Sequence, residues 1–572
     1  MSRTPRAVAA GLAGAACLAS LSLLTAPSSY AAPQPKQGKT VELQLLAIND
    51  LHGNLEPPSG SGGRVTIGSV NGGPATATVD AGGVAFLADH LQELRTEAPN
   101  SLTVAAGDMV GASPLISALF HDEPTIEALD LLRLDVTAVG NHEFDEGVAE
   151  LRRLQDGGCH PVDGCQTGHE FKGAGFPFLA ANVVDKITRQ PILPPYLIKK
   201  VKGVDVGFIG MTLEGTADIV SQAGIAGVDF LDEAETANRY TRELQARGVE
   251  SIIVLLHEGG TQSSVSPQNS LFNDCNNLTG PIVPIVNAFD DAIDVVVSGH
   301  THQAYNCEGS EAINGKLVTS AASFGRVVSD LRLTLDKRTK DVLVARADKV
   351  IVTRDSADPE LQQLVDEYKA LSAPLANRVV GRITADIGRL SADDTPLGNL
   401  IADAQFAATR ATETGGAVAA LMNPGGVRAD LTFAQSGAEG AGVVTYGEAF
   451  SVQPFANNLV TKTLTGQQVL DLLAQQFRTR PLFLQPSGLT YSRTATAVVP
   501  GSVVIGGAPL APGSSYRITM NSFLADGGDG FTVFKAGTDP LVGGIDLDAF
   551  TAFLESASAP VSPPTTNRIS TS

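Results

Sequence analysis

Short apolar runs alternate with helical patterns between Val41 and about Ala347. The runs have the length and the polar boundaries of buried β-strands, and the segments between them have helical periodicity. Strands and helices that alternate in this way are typical of an α/β domain. The seven runs read VELQLLAIND, SLTVAAGD, DVTAVGNHEFD, VDVGFIGMT, ESIIVLLHE, DVVVSGHTH and KLVTSAA.

The pattern changes near Asp358, where PELQQLVDEYKALSAPL predicts an amphipathic helix that connects two domains. Beyond it, PLGNLIADAQFAATRA and TGQQVLDLLAQQF predict helices, while VAALMN and SYRITMN predict strands. We therefore expect a second domain of mixed α and β structure. The expected divisions are a removed leader at 1–31, a first domain at 41–355, a linker helix at 356–377, a second domain at 378–556 and a flexible tail at 557–572.

The first residues predict export from the cell. Arg3 and Arg6 precede an apolar stretch at 8–24, and residues 29–31 form a small-x-small cleavage signal. We expect a signal peptide that is cleaved near Ala31 and a secreted protein. A membrane anchor is the alternative, but the stretch is short and contains serine. Because no later apolar segment is long enough to span a bilayer, we expect no membrane span in the mature chain.

Composition and charge narrow the function. The 572 residues are 43% hydrophobic and 18% charged, as in a globular enzyme long enough for two cores. The formal net charge of -21 argues against binding a nucleic acid polymer, because a polyanion is repelled unless a local basic patch overrides the field. An anionic substrate must then be attracted locally, which bound metal ions can do.

The mature chain keeps four cysteines, an even set that suits an oxidising compartment. Two disulfides are expected. Pairing Cys159 with Cys165 and Cys275 with Cys307 is the simplest of the three connectivities, because both pairs close segments rich in Gly, Asn and Pro. A zinc site is the alternative, but the spacings lack the Cys-x-x-Cys form.

Polar clusters follow five of the predicted strands. In sheets covered by helices, ligands gather beyond the carboxyl ends of the strands. Carboxylate, amide oxygen and imidazole without thiolate suit a divalent ion, and one carboxylate, such as that of Asp108, can bridge two ions about 4 Å apart. Any single cluster can be an ordinary turn or boundary histidine, but five of the nine histidines lie in these clusters. The clusters are Asn49–Gly53, Gly107-Asp108, Gly140–Glu143, His257 and Gly299–His302.

This ordered series resembles the calcineurin-like metallophosphatases, and its surroundings are similar to the 5'-nucleotidase branch over nearly the whole mature chain. The resemblance implies an α/β fold: a metallophosphatase β-sandwich flanked by helices, followed by a 5'-nucleotidase C-terminal substrate-binding domain of α+β character. It also implies two divalent metal ions, of Zn, Mn, Mg or Co. One ion would be held by Asp50, His52, Asp108 and His302, and the other by Asp108, Asn141, His257 and His300.

The chemistry that these positions permit points to the catalytic residues independently of the resemblance. Two divalent ions lower the pKa of a shared water, which can then attack phosphorus in line. His142 follows the ligand Asn141 and would stabilise the transition state or protonate the leaving oxygen, with Asp145 fixing its tautomer. The alternative is that His142 only supports the ligands beside it.

Three segments of the second half are similar to the nucleotide-binding domain of that branch. They read NPGGVR, QPFAN and NSFLADGGDG. Taken alone, these segments predict turns and two phenylalanines of the core. Beside a two-metal site, the same residue types suit the binding of a nucleotide. The implied contacts are Phe455 and Phe523 around a base, Asp529 to ribose hydroxyls, Arg428 to phosphate, and Asn423 or Asn457 to a base edge.

The second half also departs from the family pattern. Pro424 and Ala456 stand where the motif has glycine, and residues 390–395 lack the phosphate-binding arginine that relatives carry. Arg389 is the nearby arginine. The sequence therefore does not identify the arginines that complete the phosphate contact.

The leading hypothesis is a secreted enzyme that hydrolyses nucleoside 5'-monophosphates to nucleoside and phosphate, with UDP-sugars or nucleoside di- and triphosphates as further substrates. A 2',3'-cyclic-nucleotide 2'-phosphodiesterase with 3'-nucleotidase activity is the enzymatic alternative, because it shares the metal motifs. A non-catalytic secreted nucleotide- or metal-binding protein is the alternative of another class, and it predicts a missing ligand. A surface interaction protein has only the Ser, Thr and Pro-rich end in its favour.

Overall fold

In a computed structural model of the chain, all seven apolar runs of the N-terminal half form strands. The structure describes residues 39–58, 60–69, 76–167, 169–220, 222–262, 272–390, 393–478 and 480–572. The predicted leader at 1–31 lies outside these residues. The strands of this half are β1 Thr40–Ile48, β2 Arg64–Ser69, β3 Thr76–Asp80, β4 Ser101–Ala106, β5 Val136–Ala138, β6 Phe178–Leu179, β7 Val183–Asp185, β8 Tyr196–Val201, β9 Val204–Thr212, β10 Val228–Phe230, β11 Ser251–His257, β12 Val295–Ser298, β13 Ala304–Cys307, β14 Leu317–Ala321, β15 Val327–Asp336 and β16 Val342–Ile351.

Two mixed six-stranded sheets form a sandwich in this half. Their strand orders are β16-β15-β1-β4-β5-β6 and β13-β14-β12-β11-β9-β8. Strand β1 alternates: Leu43 and Leu45 pack into the core between the sheets with Phe208, whereas Leu46 and Ile48 pack into the core on the opposite face. This period of two is what a strand buried on both faces requires. The predicted sandwich flanked by helices is therefore confirmed.

Helices cover both outer faces of the sandwich. One core joins the first sheet to the helices that follow β3, β4 and β5, and another joins the second sheet to the helices beside β11 and β12. These helices are α1 Val84–Thr96, α2 Leu115–Ala118, α3 Glu123–Leu131, α4 Val148–Asp156, α5 Gln222–Ile225, α6 Glu233–Ala246 and α7 Ile282–Asn287.

The predicted connecting helix is present as α8, Pro359–Ala376. It begins where the Asp358 carboxylate accepts hydrogen bonds from the first-turn backbone N–H groups. Leu361, Val365 and Tyr368 lie one helical turn apart and are buried in the same core as α1 and α3. One face of α8 is therefore part of the N-terminal half.

The C-terminal half is built on a five-stranded sheet, with a core on each face. Its strands lie in the order β21 (Gln485–Ser487), β18 (Ala419–Met422), β25 (Ser515–Asn521), β20 (Asn458–Thr465) and β26 (Thr538–Ile545). The four elements predicted here from the sequence are present as helices α9 (Pro396–Thr409) and α11 (Gly466–Ala474) and strands β18 and β25. The strands are β17 Val379–Arg382, β18 Ala419–Met422, β19 Val443–Thr445, β20 Asn458–Thr465, β21 Gln485–Ser487, β22 Leu489–Arg493, β23 Val504–Ile505, β24 Ala508–Pro509, β25 Ser515–Asn521, β26 Thr538–Ile545 and β27 Ile569–Thr571; the helices are α9 Pro396–Thr409, α10 Tyr446–Val452, α11 Gly466–Ala474, α12 Ser522–Ala525 and α13 Asp546–Glu555.

The segment 557–572, expected to be a flexible tail, is instead bound to the C-terminal half. Its strand β27 pairs in parallel with β22. Arg568 donates to both carboxylate oxygens of Asp403, at 2.8 and 2.7 Å, and to the Pro486 carbonyl oxygen. The composition of this segment predicted a solvated tail. A bidentate ion pair and a short β-strand pairing hold the segment in place instead.

The cysteines pair as the simplest connectivity requires. Cys159 is bonded to Cys165 and Cys275 to Cys307. Within the described ranges, no helix combines the length and the apolar character needed to cross a membrane.

Candidate metal centre

The predicted ligands converge at one edge of the sandwich. Strands β1, β4 and β5 run parallel in the first sheet, and β11 and β12 run parallel in the second, so the residues after their carboxyl ends meet. Each ligand occupies or follows the end of one of these strands. The candidate ligands are Asp50 and His52 after β1, Asp108 after β4, Asn141 after β5, His257 at the end of β11, and His300 and His302 after β12.

The first predicted ligand set surrounds His52. Its Nε2 atom lies 3.0 Å from His302 Nε2, 3.6 Å from Asp108 Oδ2 and 3.9 Å from Asp50 Oδ1. His302 Nε2 lies 3.4 Å from the same Asp50 oxygen. The structure thus brings all four residues of this set together.

The second predicted ligand set also contains Asp108. Asp108 Oδ2 lies 2.9 Å from His257 Nε2, and His300 Nδ1 lies 3.0 Å from Asn141 Oδ1. Donor atoms of Asp108, His257 and His300 all lie within 4.8 Å of one another. The same Asp108 oxygen faces His52 and His257, which is the position a bridging carboxylate requires.

Backbone carbonyls orient two of the imidazoles. His257 Nδ1 donates to the Ala106 carbonyl oxygen at 2.8 Å, and His52 Nδ1 donates to the Gly111 carbonyl oxygen at 2.9 Å. Each ring then keeps the lone pair of Nε2 for the centre, where the nearest neighbour of His257 Nε2 is Asp108 Oδ2 and that of His52 Nε2 is His302 Nε2. Among the described residues, the buried His257 Nε2 has no hydrogen-bond partner although a carboxylate oxygen lies 2.9 Å away.

Two acceptors that face each other in a buried site need a cation between them. Burial disfavours a charged imidazole, but the Asp108 carboxylate raises the pKa of His257 to about 10, so the position demands positive charge. A proton or a metal ion can supply it. Imidazole that donates its other N–H to a carbonyl is the usual arrangement of a metal ligand, so the donor set fits divalent ions.

The backbone around the ligands is strained. Five of the seven predicted ligands have a positive φ, a left-handed conformation that non-glycine residues adopt rarely and at a cost of about 1–3 kcal/mol each. Such strain persists where the surroundings impose it, and it is concentrated at functional sites. The angles are 51° at Asp50, 48° at His52, 52° at Asp108, 69° at His300 and 55° at His302.

Two glycines let these loops approach one another. A Cβ atom on Gly140 would lie 2.2 Å from Asp108 Oδ1, and one on Gly299 would lie 2.9 Å from the Ala106 carbonyl oxygen and 3.1 Å from Asp50 Oδ2. Any side chain at position 140 would displace the carboxylate that serves both ligand sets.

Glu143 supports the site, a role that the sequence alone did not predict. Its buried carboxylate accepts hydrogen bonds from the backbone N–H groups of Asp108, at 3.0 Å, and Met109, at 2.8 Å, and from that of Gly140. Burial raises the pKa of Glu143 to about 7. Its place in the GNHEFD cluster was the available signal, but its inward orientation follows only from the turn at His142–Phe144.

Asn49 and Phe324 were also missed. Asn49 Nδ2 donates to Asp50 Oδ2 at 2.5 Å, and its Oδ1 accepts from the Ala321 N–H at 2.7 Å, which ties β1 to the end of β14. The Phe324 ring lies edge-on to His302, with centroids 5.3 Å apart. Phe324 has a φ of 61° and lies outside every cluster, so the sequence carried no signal for it.

His142 lies beside the ligands in a fixed orientation. Its Nδ1 is 2.8 Å from Asp145 Oδ2, and that carboxylate also accepts from the Ala112 N–H at 3.2 Å. Burial opposes protonation, but the charges of Asp145 and Asp108 raise the pKa of His142. Because Asp145 takes Nδ1, a proton exchanged with a substrate must pass through Nε2.

Two of the predicted substrate residues reach this centre. The Phe455 ring is stacked on the His142 ring, with centroids 5.7 Å apart and planes 17° from parallel. The Arg428 guanidinium lies 5.8 Å from the Phe455 ring centroid. Arg389 donates to the Val427 carbonyl oxygen at 3.3 Å, so it borders the same loop.

The other predicted substrate residues form a group in the loops of the C-terminal half. Asn423 Nδ2 donates to Asp529 Oδ2 at 2.9 Å, and Asn423 Oδ1 accepts from Asn521 Nδ2 at 2.9 Å. Asn457 Oδ1 accepts from the Ser522 hydroxyl at 3.0 Å. The Phe523 ring occupies the space that a side chain at position 528 would need.

The departure at position 456 has a conformational meaning. Ala456 has a φ of 50°, in the left-handed region that glycine enters freely. The loop thus keeps the conformation that glycine favours while carrying a methyl group. Ala456 directly follows Phe455, so this strained residue helps direct the ring that meets His142.

Two family models match the chain. The model of calcineurin-like phosphoesterases matches residues 43–304, and the model of the 5'-nucleotidase C-terminal domain matches residues 379–536. The first range contains all seven candidate ligands, and the second contains all six candidate substrate residues.

Relatives and solved structures agree with these matches. The chain is 33% identical over 546 residues to endonuclease YhcR of Bacillus subtilis, covering 93% of this chain but 41% of that protein. It is 33% identical over 564 residues to cell wall protein Lmo0130 of Listeria monocytogenes, covering 92% of this chain and 68% of that protein. The crystal structure of a 5'-nucleotidase precursor from Thermus thermophilus superimposes with a TM-score of 0.73 at 26% identity, covering 93% of this chain and 99% of that one.

Proposed function

The chain belongs to the 5'-nucleotidase family of calcineurin-like phosphoesterases, and we propose that it is a secreted, metal-dependent enzyme that hydrolyses nucleoside 5'-monophosphates to nucleoside and phosphate. Membership makes it a hydrolase of phosphoric esters. The preferred nucleotide, the number of ions and the roles of individual residues are the proposal. It spans less than half of the Bacillus endonuclease, so that protein's activity is not transferred to it.

The observation that carries the proposal is the convergence of imidazole lone pairs on one carboxylate. Carbonyl groups hold the rings of His52 and His257 so that their Nε2 atoms lie 3.6 Å and 2.9 Å from Asp108 Oδ2. This supports two divalent ions that share Asp108, one with Asp50, His52 and His302 and the other with Asn141, His257 and His300. When bound, such ions activate a water and neutralise the phosphoryl oxygens.

The residues beside the ligands supply the proton chemistry. Water adds to phosphorus while the bond from phosphorus to the ester oxygen breaks, and that oxygen needs a proton. His142 Nε2 donates it, because Asp145 occupies Nδ1 and raises the pKa of the ring against the effect of burial. Asp145 also accepts from the Ala112 N–H, so the pair is held to the loop after β4.

The C-terminal half supplies recognition of a nucleotide. Phe455 presents a ring next to His142, and Arg428 is the cation near that ring. A chain with a net charge of -21 needs such local positive charge to attract an anion. The pair Asn423 and Asp529 offers an amide and a carboxylate for a base edge and ribose hydroxyls.

The decisive experiment measures phosphate release from AMP by the purified mature chain after chelation and after addition of Zn, Mn, Mg or Co. We expect activity that depends on metal and that falls about 10²–10⁴-fold in His142→Ala, as loss of a general acid does. His169→Ala is the matched control, because His169 is an exposed imidazole paired with Glu127.

The outcomes separate the alternatives. No phosphate from AMP but turnover of a 2',3'-cyclic nucleotide or a UDP-sugar would move the substrate within the family. No turnover of any of them, with metal bound, would favour a binding protein. Equal activity of His142→Ala and His169→Ala would refute the role given to His142.

Export is tested separately. The proposal rests on the arginines and the apolar stretch of the leader. We expect the chain in the extracellular fraction, with its first residue near position 32. Retention of the full-length chain inside the cell would contradict it.

A further inference from the structure

Arg478 lies beside the residue proposed to bind the ribose of the nucleotide. It follows helix α11 in the C-terminal half. A Cβ atom on Gly530 would lie 3.3 Å from Arg478 Nη1 and 3.5 Å from Arg478 Nη2. Because Gly530 directly follows Asp529, the guanidinium of Arg478 borders the loop that presents the Asp529 carboxylate. The function proposed above assigns no role to this arginine.

The Arg478 side chain has a fixed position at the end of α11. Its guanidinium lies over the buried Phe531 ring, 4.7 Å from the centroid, and its Nε donates to the Gln475 carbonyl oxygen at 2.8 Å. The Gln475 side chain donates to the Thr532 hydroxyl at 2.8 Å and accepts from the Val533 N–H at 3.3 Å. Since these contacts already restrict the side chain, little conformational entropy remains to be lost when it binds a ligand.

The end of this side chain keeps donors for a ligand. Among the residues that the structure describes, neither Nη atom of Arg478 has a hydrogen-bond partner, and no carboxylate forms an ion pair with its guanidinium. Arg478 is exposed, so an anion from solvent can reach these donors. A planar guanidinium presents paired N–H groups that match the oxygens of a phosphoryl group.

Asp529 lies between two arginines with different surroundings. Burial raises the pKa of Asp529, and the hydrogen bond from Asn423 and the charges of Arg478 and Arg428 oppose that shift. Burial lowers the pKa of Arg428, and the carboxylate of Asp108 is among the charges that oppose this lowering. Arg428 is therefore the cation near the metal centre, whereas Arg478 is the cation at the candidate ribose position.

We propose that Arg478 binds a phosphoryl group carried by a secondary hydroxyl of the ribose, so that the enzyme accepts nucleoside 5'-phosphates with a second phosphate at the 2' or 3' oxygen. The inference rests on the function proposed above and on Asp529 as the contact of the ribose hydroxyls. A group on a ribose oxygen lies next to the residue that binds the ribose, and there Arg478 meets it. A chain with a net charge of -21 would otherwise repel the additional phosphate.

The reaction at phosphorus does not change. Water adds to the 5' phosphorus while the bond from phosphorus to the 5' oxygen breaks, and that oxygen receives a proton. The second phosphoryl group is not cleaved, so the products are phosphate and a nucleoside 2'- or 3'-monophosphate. Arg478 therefore determines which substrate is bound and takes no part in the chemical step.

The test compares AMP with adenosine 3',5'-bisphosphate and adenosine 2',5'-bisphosphate, with products separated by liquid chromatography so that only loss of the 5'-phosphate is counted. We expect the wild-type chain to have a lower KM for at least one bisphosphate than for AMP, and that bisphosphate identifies the oxygen that carries the phosphate. Arg478→Gln should lower kcat/KM for it about 10- to 100-fold, as loss of a hydrogen bond to a charged group does, and should leave kcat/KM for AMP within about twofold.

Two further variants separate charge from packing. Arg478→Lys keeps the positive charge and should restore part of the activity on the bisphosphate. Arg410→Gln, in an exposed position at the end of α9, is the control and should change neither substrate. An equal loss on AMP and on the bisphosphate in Arg478→Gln would show a structural role and overturn the proposal.

The wild-type chain alone can also refute the inference. A higher KM for both bisphosphates than for AMP would overturn it, even if Arg478→Gln failed to fold. No turnover of AMP would refute the nucleotidase function instead. Isothermal titration calorimetry with AMP and the two bisphosphates would then decide the inference: tighter binding of a bisphosphate would support it, and equal or weaker binding of both would overturn it.

Discussion

The metal centre and the substrate loops hold their side chains in different ways. At the metal centre, backbone carbonyls and the Glu143 carboxylate hold the donors. In the substrate loops, Asn423 and Asp529 hydrogen-bond to each other instead. The first region is therefore arranged for its ligand in advance, whereas the second must exchange internal hydrogen bonds for bonds to substrate.

This difference predicts two kinds of failure. Substitution at the metal centre removes chemistry and metal together, because no neighbouring group can replace a preorganised donor. A substitution in the substrate loops should weaken substrate binding by the free energy of the one contact that it removes.

Asp108→Asn should abolish turnover. The carboxylate oxygen faces both His52 and His257, so its loss should cost more than the roughly 10²–10³-fold that removal of one transition-state donor costs. Phosphate release and metal content per chain are the measurements. Asp156→Asn, in an exposed position at the end of α4, is the control. Retained metal and activity in Asp108→Asn would break the contrast.

Asp145→Asn should lower kcat about 10- to 100-fold while metal content stays the same. Asp145 contacts no ligand ring directly but orients His142 at 2.8 Å, and loss of an orienting partner has effects of this size. Steady-state kinetics with metal analysis checks it. Loss of metal would show instead that Asp145 supports the ligands.

Phe455→Ala should raise KM about tenfold to a hundredfold, since stacking on a base contributes about 1–3 kcal/mol. Phe455→Tyr should restore most of the binding, because it keeps the ring. A nearly unchanged kcat would show that Phe455 contributes to substrate binding rather than to catalysis. A collapse of kcat with unchanged KM would show that the stack on His142 serves catalysis rather than recognition.

Asp546→Asn should have the smallest effect and a defined pH dependence. Burial raises the pKa of Asp546 to about 7, far above the usual range of an aspartate, although hydrogen bonds from Leu547 and Asn457 oppose the shift. A raised folded-state pKa contributes stability that is complete at low pH and is lost as pH rises through 7.

At pH 8, Asp546→Asn should therefore raise the free energy of unfolding by about 1–3 kcal/mol more than it does at pH 5. Urea unfolding at the two pH values measures it, with Asp548→Asn in an exposed position of the same helix as the control. An equal effect at both pH values would contradict the assignment.

The fold and the positions of the candidate ligands were predictable because both depend on local pattern in the sequence. Seven apolar runs gave seven strands, and the clusters at their ends met because parallel strands share an edge. The stacking of Phe455 on His142 could not be predicted from the sequence, because the two residues are distant in the chain.

The remaining misses have the same cause. Glu143 stood within a quoted motif, but its bonds to Asp108 and Met109 come from another loop. The end of the chain looked solvated in composition, yet Arg568 finds its partner Asp403 far upstream. Contacts between residues that are far apart in the chain produce no periodic pattern in the sequence.

The pairing of β1 with β15 has a consequence for where the protein acquires its ions. Thr40 lies opposite Asp336, so the first sheet closes only after the chain has been made through that residue. Asp50 and His52 follow β1 directly, and a partly synthesised chain therefore lacks a complete site. Since metal binding is coupled to folding, the compartment in which the finished chain folds would decide which ion it takes up.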